Sequence, residues 1–225
     1  MFQGYTQGAI DFLWGLKLNN ERAWFQEHKE EFTALVDRPT RELAQQLRDE
    51  MTDLYPKLGL ELKVSRIYRD ARRLFGRGPY KDHLWFSLRR PGEHDGQIPC
   101  FWFEIAADRY GYGMGCWEMP PVTMAKLRAR IDRDPKPVEK LARAVEKRGE
   151  FVMEGQEYKR PKGDPGPLLY PWYNRKGIGF SCERNCEGVF FTPELAGQVL
   201  EGWKSLVPQY KFLCSLPGDP EPVNM

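Results

Sequence analysis

Three histidines, His28, His83 and His94, are the side chains of this chain whose ordinary pKa lets them move a proton near neutral pH. His83 is the one set for chemistry. It follows Lys81 by two residues at the end of a basic stretch, where neighbouring cations lower an imidazole's pKa and keep it neutral enough to act as a base. Glu104 and Asp70 are the candidates to orient it. His83 is therefore the candidate catalytic residue, and phosphoester chemistry is the reaction such a base would serve. The carboxylate pairs that would hold a metal for that reaction are not visible in the spacing. His94 lies in the polar turn PGEHDGQIP and reads as exposed. His28 falls between Trp24 and Phe32 on an aromatic helical face and reads as a packed, hydrogen-bonded ring.

The basic stretch is RIYRDARRLFGRGPYKDHLWFSLRR, residues 66–90, with eight Arg or Lys against two Asp in a chain whose net charge is only +2. The guanidinium fork matches carboxylate and phosphate oxygens two at a time, so a convergent set of arginines is an anion site. The candidate ligand-binding residues are Arg66, Arg69, Arg72, Arg77, Tyr80 and Lys81, with Arg73 beside them. The Gly76-Arg77-Gly78-Pro79 turn lets backbone amides approach the same anion. On a strand over 62–70, Arg66, Tyr68 and Asp70 would share one face and Arg69 the other, so Arg66 and Arg69 converge only if the strand ends near Tyr68.

Three functions fit this pattern. The first is binding of a phosphorylated or carboxylated small molecule, with or without hydrolysis. The second is nucleic-acid binding on the same face, since Tyr68, Phe75, Tyr80 and Trp85 interleave with the cations as base-stacking platforms do. A sequence pI of 8.2 is low for a dedicated binder of that kind. The third is a protein-interaction module in which the arginines only support strand pairing and guard a sheet edge. Elsewhere, the run Tyr110-Gly111-Tyr112-Gly113-Met114-Gly115 would cradle a phosphate if it opened onto the helix that begins after Pro120, but residues intervene, and the favoured reading of these glycines is a bulge or close packing under Trp117. Lys159, Arg160 and Lys162 either extend the basic surface or form a solvated loop. Five cysteines, Cys100, Cys116, Cys182, Cys186 and Cys214, make a poor disulfide framework. Cys182 and Cys186 lack the second half of a zinc site. No metal and no cofactor is expected.

The elements that must position these groups follow from periodicity. Helices are expected over 8–18 and 20–36, the second capped by Asn20, and a third from Pro39 to Leu54 with Leu43, Leu47, Met51 and Leu54 on one face. The period then falls to two. Strands are expected around Leu62, over 84–88, over 100–106 and over 110–116, the second and third joined as a hairpin. Helices return over 121–132 and 135–147, an ordered loop spans 154–171, a short helix and strand run through 173–182, and Thr192 caps a long final helix. The expected fold is α+β, a mainly antiparallel sheet packed against N-terminal helices and the long C-terminal helix, in one domain over 1–216 with a frayed tail over 217–225. No segment has the roughly 20 apolar residues of a membrane helix, and the N-terminus lacks the marks of a secretory signal. The expected partner is an anionic small molecule or nucleic acid, with no membrane, and the expected location is the cytoplasm.

NNERAWFQEHK near the start, RIYRD followed by PYK, GMG with PPVTMAKLRARI, KRPKG, LLYPWYNRK and FFTPELAGQVLEGWKSLVPQYKFL together resemble the family called domain of unknown function 2461. The likeness runs over nearly the whole chain. Its most specific part is Arg66, Tyr68, Arg69, Asp70, Arg72, Pro79, Tyr80 and Lys81. The resemblance implies one α+β domain and no particular activity. Phe75 stands where the family commonly has lysine, and Asp164-Pro165-Gly166-Pro167 stands where it often has an Asp-His pair, which removes a histidine from that turn.

Overall fold

The helical period of the first quarter folds as α1 (Gln7–Leu18), α2 (Arg22–Glu27), α3 (Lys29–Phe32) and α4 (Arg38–Leu54). This is a computed structural model that describes residues 1–70, 72, 74, 76–91 and 98–222. The expectations for Arg73, Phe75 and His94 lie outside the described residues. The segment 20–36 is not one continuous helix. It breaks at His28, whose backbone leaves the helical region and whose ring lies on Trp24 with centroids 4.1 Å apart. A π-turn, Thr33–Asp37, then joins α3 to α4, so Pro39 sits in the first helical turn, where its missing N–H breaks no bond. On α4, Leu43, Leu47 and Met51 are fully buried at the predicted spacing, whereas Leu54, the last residue of the helix, is exposed.

Where the period drops to two, the strands are β1 (Glu61–Val64), β2 (His83–Arg89), β3 (Cys100–Ala106) and β4 (Tyr110–Cys116). After α5 (Pro121–Arg133) and α6 (Lys136–Arg148) come β5 (Val152–Glu154), the short α7 (Tyr170–Tyr173), β6 (Ile178–Arg184) and the 22-residue α8 (Glu194–Ser215). Among the described residues the fold is α+β, with an antiparallel sheet of six strands in the order β1-β2-β3-β4-β6-β5. Just before α8, the Thr192 hydroxyl donates to the Val189 carbonyl at 3.1 Å.

By packing, the chain falls into two compact units, one of Met1–Arg89, Trp102–Tyr112 and Glu183–Glu201, the other of Arg90–Phe101, Gly113–Cys182 and Gly202–Met225. In the first, α4 packs on β1 and β2, and the core is aromatic. Tyr5 stacks on Phe190 at 4.9 Å and its hydroxyl pairs with Thr40 at 2.9 Å, while Phe86 stacks on Phe103 at 5.4 Å. In the second, Phe101 stacks on Tyr210 at 4.8 Å and packs against Trp203. The glycines of β4 and β6 give the predicted close approach, since a Cβ on Gly115 would come within 2.5 Å of Gly179 and one on Gly179 within 2.9 Å of the Trp117 indole nitrogen.

Of the segment expected to fray, Pro217 accepts a hydrogen bond from Lys126 at 2.7 Å, and Asp219 is gripped in a fork by Arg130, one arm 2.8 Å long. The Arg130 guanidinium holds the Asp219 carboxyl below its ordinary range. A carboxyl depressed on folding adds stability that is complete above its unfolded pKa and is lost as pH falls through the lower folded value. Asp219→Asn is therefore expected to lower stability by about 0.5–1 kcal/mol at pH 7 for this half-open pair. The difference should shrink as pH drops below the ordinary 3.8 of this carboxyl, measured by calorimetric Tm at a series of pH values.

Candidate functional site

The expected strand over 62–70 stops early. Regular pairing of β1 with β2 ends at Val64, because the N–H of Trp85 turns to the hydroxyl of buried Ser65 instead of a backbone carbonyl. The two chains stay together as an irregular ribbon. Ser65 donates to Trp85 O, Lys81 to Ile67 O and Arg69 to Pro79 O, around an antiparallel bridge between Tyr68 and Tyr80. Directly opposed residues put their side chains on the same face, so the two tyrosine rings meet at 5.2 Å, and Phe25 of α2 stacks on Tyr80 at 4.1 Å.

Asn20 completes the ribbon in place of a strand. Its carboxamide accepts from the Tyr80 N–H and donates to the Tyr80 carbonyl, both at 3.0 Å, the reciprocal pair that a neighbouring β-residue would supply. It does not cap α2, as its side chain is engaged 60 residues away. Gly78 makes room for this contact, since a Cβ there would stand 2.3 Å from the Asn20 amide oxygen. The Gly76-Arg77-Gly78-Pro79 turn thus has Gly78 packed under Asn20, with Gly76 supplying the left-handed φ of 78°.

Beside the ribbon lies a cavity of about 300 Å³ lined by Arg22, Gln26, Tyr68, Arg69, Leu74, Pro79 and Tyr80. Arg69 is fixed there. Its Nε donates to the Tyr80 carbonyl at 2.7 Å and its Nη2 to Asp82 at 3.3 Å, which leaves Nη1 without a bond to any described residue. Burial holds the Tyr80 hydroxyl above its ordinary range, with Tyr68 adding to the shift and Gln26 and Arg22 opposing it, so it remains a protonated donor. Arg22 is exposed and makes no ion pair with any described residue.

A second group of charges starts from the same Asp82 oxygen. That oxygen meets both Arg69 and the His83 Nδ1 at 3.2 Å, and the His83 Nε2 stands 3.9 Å from Glu104, which in turn is 3.9 Å from Arg109. Arg109 bonds Glu183 at 3.1 Å. Burial would raise Asp82, but its own backbone amide, His83 and Arg69 outweigh that and hold the carboxyl below its ordinary range. Burial raises Glu104 against the pull of His83 and Arg109. His83 is therefore flanked by two carboxylates, of which Asp82 takes the place foreseen for Asp70. Lys81 has its amine on the Arg66 carbonyl at 2.7 Å and 5.8 Å from the Trp85 ring, with its pKa lowered by burial and then by Arg69 and Arg66.

A model of the family described as a conserved hypothetical protein, DUF2461, matches residues 8–212. The chain belongs to this family. No curated protein matches it. Two of the segments that carry the resemblance to DUF2461, NNER and RIYRD with PYK, are those that meet at the Asn20–Tyr80 contact.

Of the residues singled out in the sequence, Arg69 and Tyr80 reach the cavity, while Arg66, Lys81 and His83 do not line it. Arg72 turns back on Asp70 through its Nε at 3.1 Å and Nη2 at 2.8 Å, and Arg77 is exposed without an ion pair to any described residue. Sequence reasoning missed Arg22, Gln26 and Asn20. Their only signal was their place in NNERAWFQEHK, a helical segment with no visible tie to residue 80. Cys186 sits two residues past β6, and burial, Asp108 and Glu187 push its thiol up to about 12, which makes it unreactive at neutral pH.

Removing the Asn20 carboxamide strands the Tyr80 N–H in a part-buried place, so Asn20→Ala is expected to cost about 1–3 kcal/mol in urea unfolding. Gly78→Ala should be destabilising for the same contact. A carboxyl raised on folding holds its proton to higher pH than the unfolded chain does, so stability falls as pH rises from the ordinary Glu104 value of 4.5 through the raised one. Glu104→Gln removes that fall, and its stability relative to wild type should be higher at pH 7 than at pH 4.

Proposed function

We propose that the cavity beside Tyr80 binds a small anion, a phosphorylated or carboxylated molecule. The observation that carries this reading is the state of Arg69. Its guanidinium is held by the Tyr80 carbonyl and Asp82 so that Nη1 remains for a ligand, with exposed Arg22, the Tyr80 and Tyr68 hydroxyls and Gln26 around the same 300 Å³ space. A prepositioned fork loses little freedom on binding, which favours affinity. The size admits a compact ligand at the lower end of ordinary pockets. Because His83 is not among the lining residues, the reading is binding without an assigned hydrolytic step.

Nucleic-acid binding has less support, since Arg69, Arg72 and Lys81 are all engaged by groups of the chain itself. Calorimetric titration with inorganic phosphate, glycerol 3-phosphate, malonate and a short single-stranded oligonucleotide tests both. The small anions should bind, with Arg22→Ala weakening them about tenfold or more, roughly 1.4 kcal/mol. Arg72→Ala should leave their affinity unchanged. Small-anion affinity should fall only shallowly with salt, whereas oligonucleotide binding with a steep salt slope would replace this reading by the nucleic-acid one.

A further inference from the structure

The KRPKG and LLYPWYNRK segments, which the site at Tyr80 does not use, build a second cavity of about 490 Å³ in the other unit, with no lining residue in common with the first. Its polar lining is basic. Arg128 comes from α5, Lys162 from the loop and Lys176 from the approach to β6, and none of the three makes an ion pair with a described residue. Glu118 also lines the space but pairs with none of them. The Arg128 Nη1 is enclosed and has no hydrogen-bond partner among the described residues. A buried guanidinium nitrogen with nothing to receive its protons is a costly arrangement, and it ends when an acceptor enters.

Apart from Glu118 and Gln156, the rest of the lining is apolar or aromatic, with Trp117, Met119, Pro121, Ala125 and Tyr158. The Tyr158 ring has the Arg128 guanidinium 5.7 Å from its centroid and the Lys162 amine 5.1 Å from it. Each is a cation–π contact that holds a cation beside the aromatic ring. Trp117 stands over Gly115, Gly177 and Gly179, where no side chain separates it from the sheet.

These groups are held in place. Asn174, only 2% exposed, accepts from the Lys162 N–H at 2.6 Å, donates to Gly163 O at 2.9 Å and accepts on its own carbonyl from the Tyr158 N–H at 3.0 Å. The neighbouring Lys176 donates through its backbone to Gln156 O at 2.7 Å and through its amine to the Gln156 side chain at 3.1 Å. Asn174 thus holds Tyr158 through its main-chain carbonyl and the Lys162 segment through its buried carboxamide, as a ligand site requires and a solvated loop does not.

We infer that this cavity binds a planar aromatic or heteroaromatic molecule carrying a phosphate or carboxylate, its ring against Trp117 and Tyr158 and its anionic group on Arg128, Lys162 and Lys176. The volume lies within the usual range for small-molecule pockets and exceeds what a bare anion needs. This inference does not depend on the site at Tyr80.

The test is calorimetric titration of the full chain with adenosine 5′-monophosphate, uridine 5′-monophosphate and nicotinate, with adenosine and inorganic phosphate as the two halves. At least one of the three aromatic anions should bind more tightly than either half. Arg128→Ala and Lys162→Ala should each weaken it about tenfold, Lys162→Arg should retain it, and Arg22→Ala should not change it. Thermal unfolding without ligand shows that the variants are folded. If no aromatic anion binds, or if the one that does is unaffected by Arg128→Ala and Lys162→Ala, the inference is overturned. Loss in Arg22→Ala alone would assign that ligand to the cavity at Tyr80 and overturn it equally.

Discussion

The double hydrogen bond between the Asn20 carboxamide and the main chain of Tyr80 is the contact from which the candidate site is built. β2 and the segment before it cannot remain a flat ladder, because Ser65 has already taken a strand-pairing bond onto its side chain. The ribbon beyond that point needs another partner for its N–H and C=O groups, as buried backbone must. Asn20 supplies it, Gly78 leaves room for it, and Phe25 closes over the Tyr80 ring three residues before the backbone departs at His28. The cavity exists because a loop that precedes a helix has replaced a strand.

That geometry also decides which of the arginines remain available. A charge block in sequence looks like one surface. In the fold, the carbonyl of Tyr80 and the carboxylate of Asp82 hold Arg69, Asp70 holds Arg72, and the carbonyl of Arg66 holds Lys81. Hydrogen bonds to charged donors are stronger than neutral ones and are made wherever an acceptor comes within reach. Among the described residues, one edge of Arg69, together with exposed Arg22 and Arg77, is not engaged in this way. The carboxylates on either side of His83 show the same rule, since the local field at that ring is set by Asp82 and Glu104 as much as by the cations nearest in sequence.

An asparagine stands beside each of the two cavities, Asn20 half-buried and Asn174 buried. Asn20 substitutes for a strand, and Asn174 ties a loop to a short helix. An amide that both donates and accepts can satisfy main-chain groups of two segments at once, which an apolar side chain cannot. The cost of leaving such groups unmet fixes the segments' positions. Around Asn20 this fixes tyrosine rings beside a guanidinium, and around Asn174 an aromatic ring beside two cations.

Periodicity alone determined the α+β class, the apolar faces of α4 and α8, the antiparallel strands and the close glycine packing under Trp117. Each of these follows from local spacing, 3.6 residues for a helix and two for a strand, or from the absence of a Cβ. Local rules also misplaced one cap, because the side chain of Asn20 found its partners on Tyr80. The role of Arg22 and Gln26, the choice of Asp82 over Asp70 beside His83, and the clamp on residues 217–219 by Lys126 and Arg130 were settled only by tertiary contact. Hydrogen bonds between residues 60 or more positions apart leave no periodic trace, and a charge's partner depends on distance in space, which a linear sequence does not contain.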